Sequence, residues 1–229
     1  MGHWPKQLFP SPMAVAERLG VLARDGVLWT AALQSLGRLA RGYFISAAIG
    51  IPLGLAMGRV PALRSAFRPL VVGLQALPSI CWLPLALLWF GLTDTSIVFV
   101  VVMGSALAIA IATEDAVMSI EPNLLRVAST FGIRGLRYQL GVIVPAALPG
   151  IVTGLKLGWS FAWRALMAGE LLYMSGGLGQ LLTAGRELLE SAQVVAVMLV
   201  IVLIGVVIDR LLFRSVEGAV RRRWGLAGG

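Results

Sequence analysis

Residues 121–145 read EPNLLRVASTFGIRGLRYQLGVIVP, a polar, basic stretch between apolar segments long enough to cross a bilayer. The pattern predicts a helix, a glycine stop and a second helix, lying at a membrane surface. Pro122 suits a first helical position, where its missing N–H has no intrahelical bond to lose. Leu124, Val127, Ala128 and Phe131 recur at i, i+3, i+4 and i+7 and form one apolar stripe. Gly132 is placed to end that helix with a left-handed cap. Leu136, Leu140 and Ile143 repeat a similar spacing, and Pro145 is expected to interrupt the second helix. An apolar stripe inside a charged loop needs a surface to bury it. Lipid headgroups, a partner protein and the chain's own body all satisfy that need.

The rest of the chain sets the solvent. Of its 229 residues, 58% are hydrophobic and only 13% charged. A soluble domain carries roughly 25% charged residues, so this is an integral membrane protein. The net charge of +8 comes from arginines clustered in short loops. A positive-inside bias accounts for them, and nucleic acid is not an expected partner. Cys81 is the single cysteine and His3 the single histidine. That excludes an intrachain disulfide and a multi-cysteine or paired-histidine metal site. No phosphate-binding loop, HExxH or Gly-x-Ser-x-Gly stretch occurs, so no catalytic residue is assigned and the chain is not expected to be an enzyme.

Working outward, five spans are expected, at about 42–58, 69–92, 95–113, 149–172 and 191–208. Residues 1–41 form an N-terminal amphipathic segment, 42–214 a transmembrane domain containing a loop at 114–148, and 215–229 a basic tail with Arg221, Arg222, Arg223 and Trp224. Gly50, Gly54 and Gly58 in the first span, and Gly150, Gly154 and Gly158 in the fourth, recur every four residues. Each set makes a smooth strip on which another helix backbone can close. Pro78 and Pro84 break the second span and free carbonyls that need partners in protein or in a wet cavity. A kinked packing helix and a helix beside a pathway both fit. Lys156, Arg164 and Glu170 lie in the fourth span. Charges at that depth face a bundle interior or water, and Arg164 and Glu170 are read as snorkelling from its end. Lys156 and Glu170 share nearly one face but lie about 21 Å apart along a straight helix, so they cannot pair with each other. The basic tail and the loops at 59–68 and 114–148 are placed in the cytoplasm, and those at 91–96 and 174–190 outside. Residues 1–41 then fall outside despite their arginines.

The central stretch resembles the signature loop of the permease subunits of binding-protein-dependent ABC importers, which runs Glu-Ala-Ala-x-x-x-Gly, nine residues, then Ile-x-Leu-Pro. The matching positions are Arg126, Val127, Ala128 and Gly132, then Val142, Val144 and Pro145. Arg126 departs, standing where the family usually has Glu, which puts in question any contact that a carboxylate makes there. The flanks LFPSPMAV, SLGRLARGYFISAAIGIPLGLAMG, ALPSICWLPLALLWFGL, VIVPAALPGIVTGLKLGWSFAWRALMAGELL and IDRLLFRSVEGAVRRRWG look like the nitrate/sulfonate/taurine branch of these permeases. The likeness covers about residues 9–225. Members of the branch commonly carry one more membrane helix before LFPSP; this sequence begins too late to contain it, so either the helix is absent or the true start lies upstream.

The resemblance implies an all-α, five-span permease core in the inner membrane of a prokaryote. It implies a homodimeric pair of permeases, an ATPase subunit dimer whose groove takes a cytoplasmic coupling helix from the central loop, and a periplasmic or lipid-anchored binding protein. This chain would hold no cofactor, because ATP and magnesium belong to the ATPase. The coupling residues would be Leu124, Arg126, Val127, Ala128, Phe131, Gly132 and Pro145. A pathway near the glycine strips and the broken second span makes Pro78, Ser79, Trp82, Lys156 and Trp159 its candidate lining, with Lys156 offering charge to an anion. Nitrate, a sulfonate or taurine is the expected cargo. A pyrimidine thiamine precursor, an aromatic sulfonate or bicarbonate is the alternative within the class, and a non-transporting membrane scaffold the alternative outside it.

Overall fold

The computed structural model describes residues 10–172 and 176–223. His3 and Trp224 lie outside the described residues, as do the side chains of Arg221 and Arg223. Among the described residues every regular element is helical. Helix α1 (Pro12–Arg24) starts with Pro12 in its first turn, and Ser11 Oγ accepts the N–H of Ala14 at 3.2 Å, which satisfies an otherwise unpaired donor. Helix α2 (Val27–Arg59) runs unbroken for 33 residues. It therefore begins well before residue 42, where the hydrophobic run alone places the start of the first span. Its arginines Arg38 and Arg41 do not end it, because both are met by carboxylates.

Helix α3 (Pro61–Gln75) occupies most of what the sequence reads as a basic loop at 59–68. Arg64 and Arg68 form ion pairs of 2.9 and 2.7 Å with the buried Glu114, so their charge is paired within the chain. The chain then breaks, forms a 3₁₀ turn at Ser79–Trp82 and continues as α4 (Leu83–Phe90). The stretch read as the second span is thus two helices joined at a break, the first beginning at Pro61. Pro78 sits at the break, whereas Pro84 lies in the first turn of α4, where a missing N–H is harmless.

Helix α5 (Asp94–Met118) does not stop at Glu114 and Asp115 but carries both inside it. Helix α6 (Pro122–Thr130) follows, then α7 (Gly135–Tyr138), a π turn at Gln139–Ile143 and α8 (Val144–Leu172). Pro145 does not interrupt this helix as expected. The wider π turn comes just before it and places Pro145 at the start of α8, where its ring meets no regular i−4 carbonyl. Helices α9 (Leu178–Glu187) and α10 (Ser191–Ile208), a second π turn (Asp209–Phe213) and α11 (Arg214–Arg223) complete the order. Among the described residues four helical runs are long and apolar enough to cross a membrane, or five if the pair α3 and α4 is one span.

By contacts the chain forms two compact units, one of Met1–Gly42, Ser79–Val101 and Trp163–Ile208, the other of Tyr43–Pro78, Val102–Ala162 and Asp209–Gly229. In the second unit both glycine strips close on the same helix, α5. A Cβ at Gly50 would lie 2.6 Å from the Ala106 carbonyl, and one at Gly58 would lie 2.7 Å from Val117 Cβ. On the other strip, a Cβ at Gly154 would lie 2.7 Å from Ala112 Cβ, with Gly150 against Ala116 and Gly158 against Ile109. Without side chains at these points, α2 and α8 approach α5 closely enough for dispersion to hold them where lipid supplies no hydrophobic drive. Ser105 Oγ donates to Ser46 Oγ at 2.7 Å and Tyr43 donates its hydroxyl to the Leu155 carbonyl at 2.9 Å, adding buried polar ties.

Candidate functional site

Helix α6 is backed onto its own unit and presents a face away from it. Ala128 is buried, and Leu125 packs against the cluster of Val117, Ile120, Ile143, Ala147 and Ile151. Leu124 and Val127 remain about half exposed, and Phe131 is 79% exposed. The stripe read from the sequence therefore divides: Ala128 anchors, and Leu124, Val127 and Phe131 project. The stop is a two-bond left-handed cap. Gly132 has φ +70°, its N–H bonds to the Ser129 carbonyl at 3.0 Å, and the Ile133 N–H reaches back to the Ala128 carbonyl at 3.3 Å. Leu124, Val127, Phe131 and Ile133, with Val142 and Pro145 of the following run, line a shallow apolar hollow of about 380 Å³. Arg126 is exposed on α6, and its carbonyl accepts the hydroxyls of Ser129 and Thr130. A short helix with a defined cap thus projects three apolar side chains that its own unit leaves uncovered.

The residues named as pathway lining fall in both units. Ser79 and Trp82 form part of the 3₁₀ turn of the first unit, where Trp82 stands edge-on to Phe99 with ring centroids 6.4 Å apart. Pro78, Lys156 and Trp159 belong to the second unit. There Trp159 is buried against Tyr43 and Phe213, at centroid distances of 5.3 and 5.8 Å. Lys156 Nζ lies 3.7 Å from Asp209 Oδ1 and 3.9 Å from Glu217 Oε2. Its charge is thus balanced within the chain.

A second polar centre escapes the sequence reading. Glu170 does not snorkel: its side chain is fully buried in the first unit. Its carboxylate accepts Arg38 Nη1 at 2.8 Å, Ser35 Oγ at 2.7 Å and the Gly179 N–H at 3.0 Å. The last of these places the negative charge at the positive end of α9. A Cβ on Gly177 would collide with this carboxylate, so the glycine-rich turn wraps it closely. Arg38 turns its other edge to Asp94, at 2.8–2.9 Å, and Asp94 also holds Arg41 at 3.2 Å. Two arginines and two carboxylates balance. The available signal was the rule that an intramembrane charge has a partner; what sequence could not supply was which one, across 132 positions.

Residues 50–223 match the family described as binding-protein-dependent transport system inner membrane component. The chain is 31% identical over 205 residues to the taurine transport system permease protein TauC of Escherichia coli, covering 87% of this chain and 74% of that one. It is 29% identical over 187 residues to the bicarbonate transport system permease protein CmpB of Synechocystis, covering 81% and 66%. Among solved structures, the inward-facing MetNI methionine ABC transporter superposes with a TM-score of 0.74 at 20% identity, over 86% of this chain and 98% of that chain, a likeness of fold.

Proposed function

Since the chain belongs to the inner membrane components of binding-protein-dependent transport systems, the permease subunits of ABC importers, we propose that it forms the translocation pathway for a small anionic solute, driven by ATP on a separate subunit. The family is one of transporter permeases in the inner membrane, not of catalytic subunits. The single observation that carries the reading is α6, with Leu124, Val127 and Phe131 exposed on a helix held from behind by Ala128 and stopped at Gly132. That helix is the element we dock into the ATPase groove, on the cytoplasmic side of the loop 114–148. ATP binding drives the cycle only if it favours one conformation of the whole assembly over the other. Two copies of the chain, related by a two-fold axis, make the pathway between them. Ser79 and Trp82 at the break between α3 and α4 are its first candidates, with Pro78, Lys156 and Trp159 completing the proposed set.

A binding protein delivers the cargo from outside. The nitrate, sulfonate and taurine class is supported by the taurine permease among the relatives, and the bicarbonate permease keeps small anions as the shared chemistry. The test is co-purification in detergent with its cognate ATPase subunit, wild type against Gly132→Asp, followed by ATPase stimulation with the binding protein loaded in turn with taurine, an alkyl sulfonate, nitrate or bicarbonate. A wild-type complex that the variant loses, and stimulation by one of these anions, is the expected result. A wild-type chain that never binds an ATPase would leave a non-transporting scaffold as the better account.

A further inference from the structure

We infer that the groove receiving α6 is acidic at its rim, so that the ATPase subunit is held by charge as well as by the apolar stripe. This rests on the docking of α6 proposed above. In α2 and α3 four arginines are countered, Arg38 and Arg41 by Asp94 and Glu170, Arg64 and Arg68 by Glu114 and Asp115. In the central stretch the pattern changes. Arg126, Arg134 and Arg137 are all exposed, and none of their guanidinium groups meets a carboxylate among the described residues. Glu121 is the only acidic residue of 121–145, and its Oε1 takes the Asn123 amide at 3.1 Å.

One of these charges borders an apolar surface directly, and Arg126 and Arg134 lie on the same exposed stretch of chain. Arg137 lines a second hollow of about 620 Å³ with Ile133, Leu136 and Leu140. That hollow shares Ile133 and Gly141 with the one over α6. A groove that buries Leu124, Val127 and Phe131 brings its own edge within reach of these guanidiniums. Their planar forks suit carboxylates, which they bind in pairs of parallel hydrogen bonds. Anionic lipid headgroups would attract the same charges, but Arg126 and Arg134 lie in the segment between the spans Asp94–Met118 and Gly135–Leu172. Arg126 is also part of the helix whose projecting stripe fits a protein groove, which favours the protein partner.

The test uses the permease in lipid-depleted detergent and its cognate ATPase subunit, with the dissociation constant measured across ionic strength. Wild-type binding is expected to weaken as salt rises. Arg126→Gln should weaken it about threefold at low salt, Arg126→Glu about tenfold with a flatter salt dependence, and Arg126→Lys should fall between wild type and Arg126→Gln. Phe131→Asp serves as the control for the docking itself. Equal or tighter binding by Arg126→Glu, with Phe131→Asp impaired, would overturn the acidic rim alone. An Arg126 effect seen only after anionic lipid vesicles are added would also overturn it, in favour of headgroups. A wild type that does not bind, or a Phe131→Asp variant that binds normally, would remove the docking and the inference together.

Discussion

Arg38 and Glu170 meet at 2.8 Å with side chains 3% and 0% exposed. The pair explains how α2 carries a cation along an otherwise apolar course and how α9 is held. Glu170 also takes Ser35 Oγ and the Gly179 N–H, and Ser35 Oγ in turn accepts the Leu178 N–H at 2.9 Å. One carboxylate thus ties α2, α8 and the first turn of α9. Arg38 extends the tie to Asp94, the first residue of α5.

Removing one member leaves the other charged and buried. Arg38→Ala or Glu170→Ala should each destabilise the detergent-solubilised chain by about 3–5 kcal/mol. Replacing both, as in Arg38→Ala with Glu170→Ala, should cost less than the two single losses summed. Thermal unfolding of the four chains, wild type included, reads the coupling. Strict additivity would mean that the pair does not act as a unit.

The two glycine strips give predictions of opposite sign from an open glycine. A Cβ at Gly50 meets a backbone carbonyl, which cannot rotate away, whereas nothing lies within 4 Å of one at Gly73 in α3. Gly50→Ala should therefore lower the thermal midpoint by several degrees, through overpacking of about 1–3 kcal/mol. Gly73→Ala should leave it unchanged or raise it, since alanine favours a helix by up to about 1 kcal/mol over glycine. A neutral Gly50→Ala would mean that α2 and α5 are less closely apposed than described.

Gly132 is constrained by its backbone rather than by space. Its φ is +70°, and a Cβ there would touch nothing within 4 Å. Gly132→Val should cost about 1–2 kcal/mol locally and loosen the cap, while Gly132→Asn, which tolerates the left-handed region, should keep it. Binding-protein-stimulated ATPase activity of the assembled transporter, with expression matched, should fall for Val and hold for Asn. Equal activities would show that the stop after α6 does not matter for coupling.

The legible part of this fold is whatever has a local cause. The stripe at Leu124, Val127 and Phe131, the cap at Gly132 and the glycine strips all follow from spacing along one helix, and each is found where the spacing places it. The misreadings share a different cause. Arg38, Arg41, Arg64 and Arg68 looked like markers of loops and surfaces because their countercharges lie far along the chain. A charge ends a span only while it lacks a partner, and partners are tertiary facts. Pro145 failed in the same way: a proline breaks a regular helix, but the π turn at Gln139–Ile143 is not regular. The pathway residues have no local signature at all beyond polarity and proline, so sequence could nominate Ser79 and Trp82 without locating them.

Lys156 separates two accounts of one side chain. As an anion-binding group it would act through its positive charge toward the cargo. As observed, that charge faces Asp209 and Glu217 at 3.7 and 3.9 Å, longer than a tight ion pair and therefore open to rearrangement. Lys156→Met should impair uptake on either account, so the single variant does not discriminate. The pair with Asp209→Asn does. If balancing the two carboxylates is the role, Lys156→Met with Asp209→Asn should recover uptake and the thermal midpoint, because it removes part of the negative charge left behind. If cargo binding is the role, the double variant should recover the midpoint while uptake stays low, with loss at subsaturating cargo exceeding loss at saturation. We expect the first outcome, from the geometry around Nζ. Full uptake by Lys156→Met alone would remove both roles.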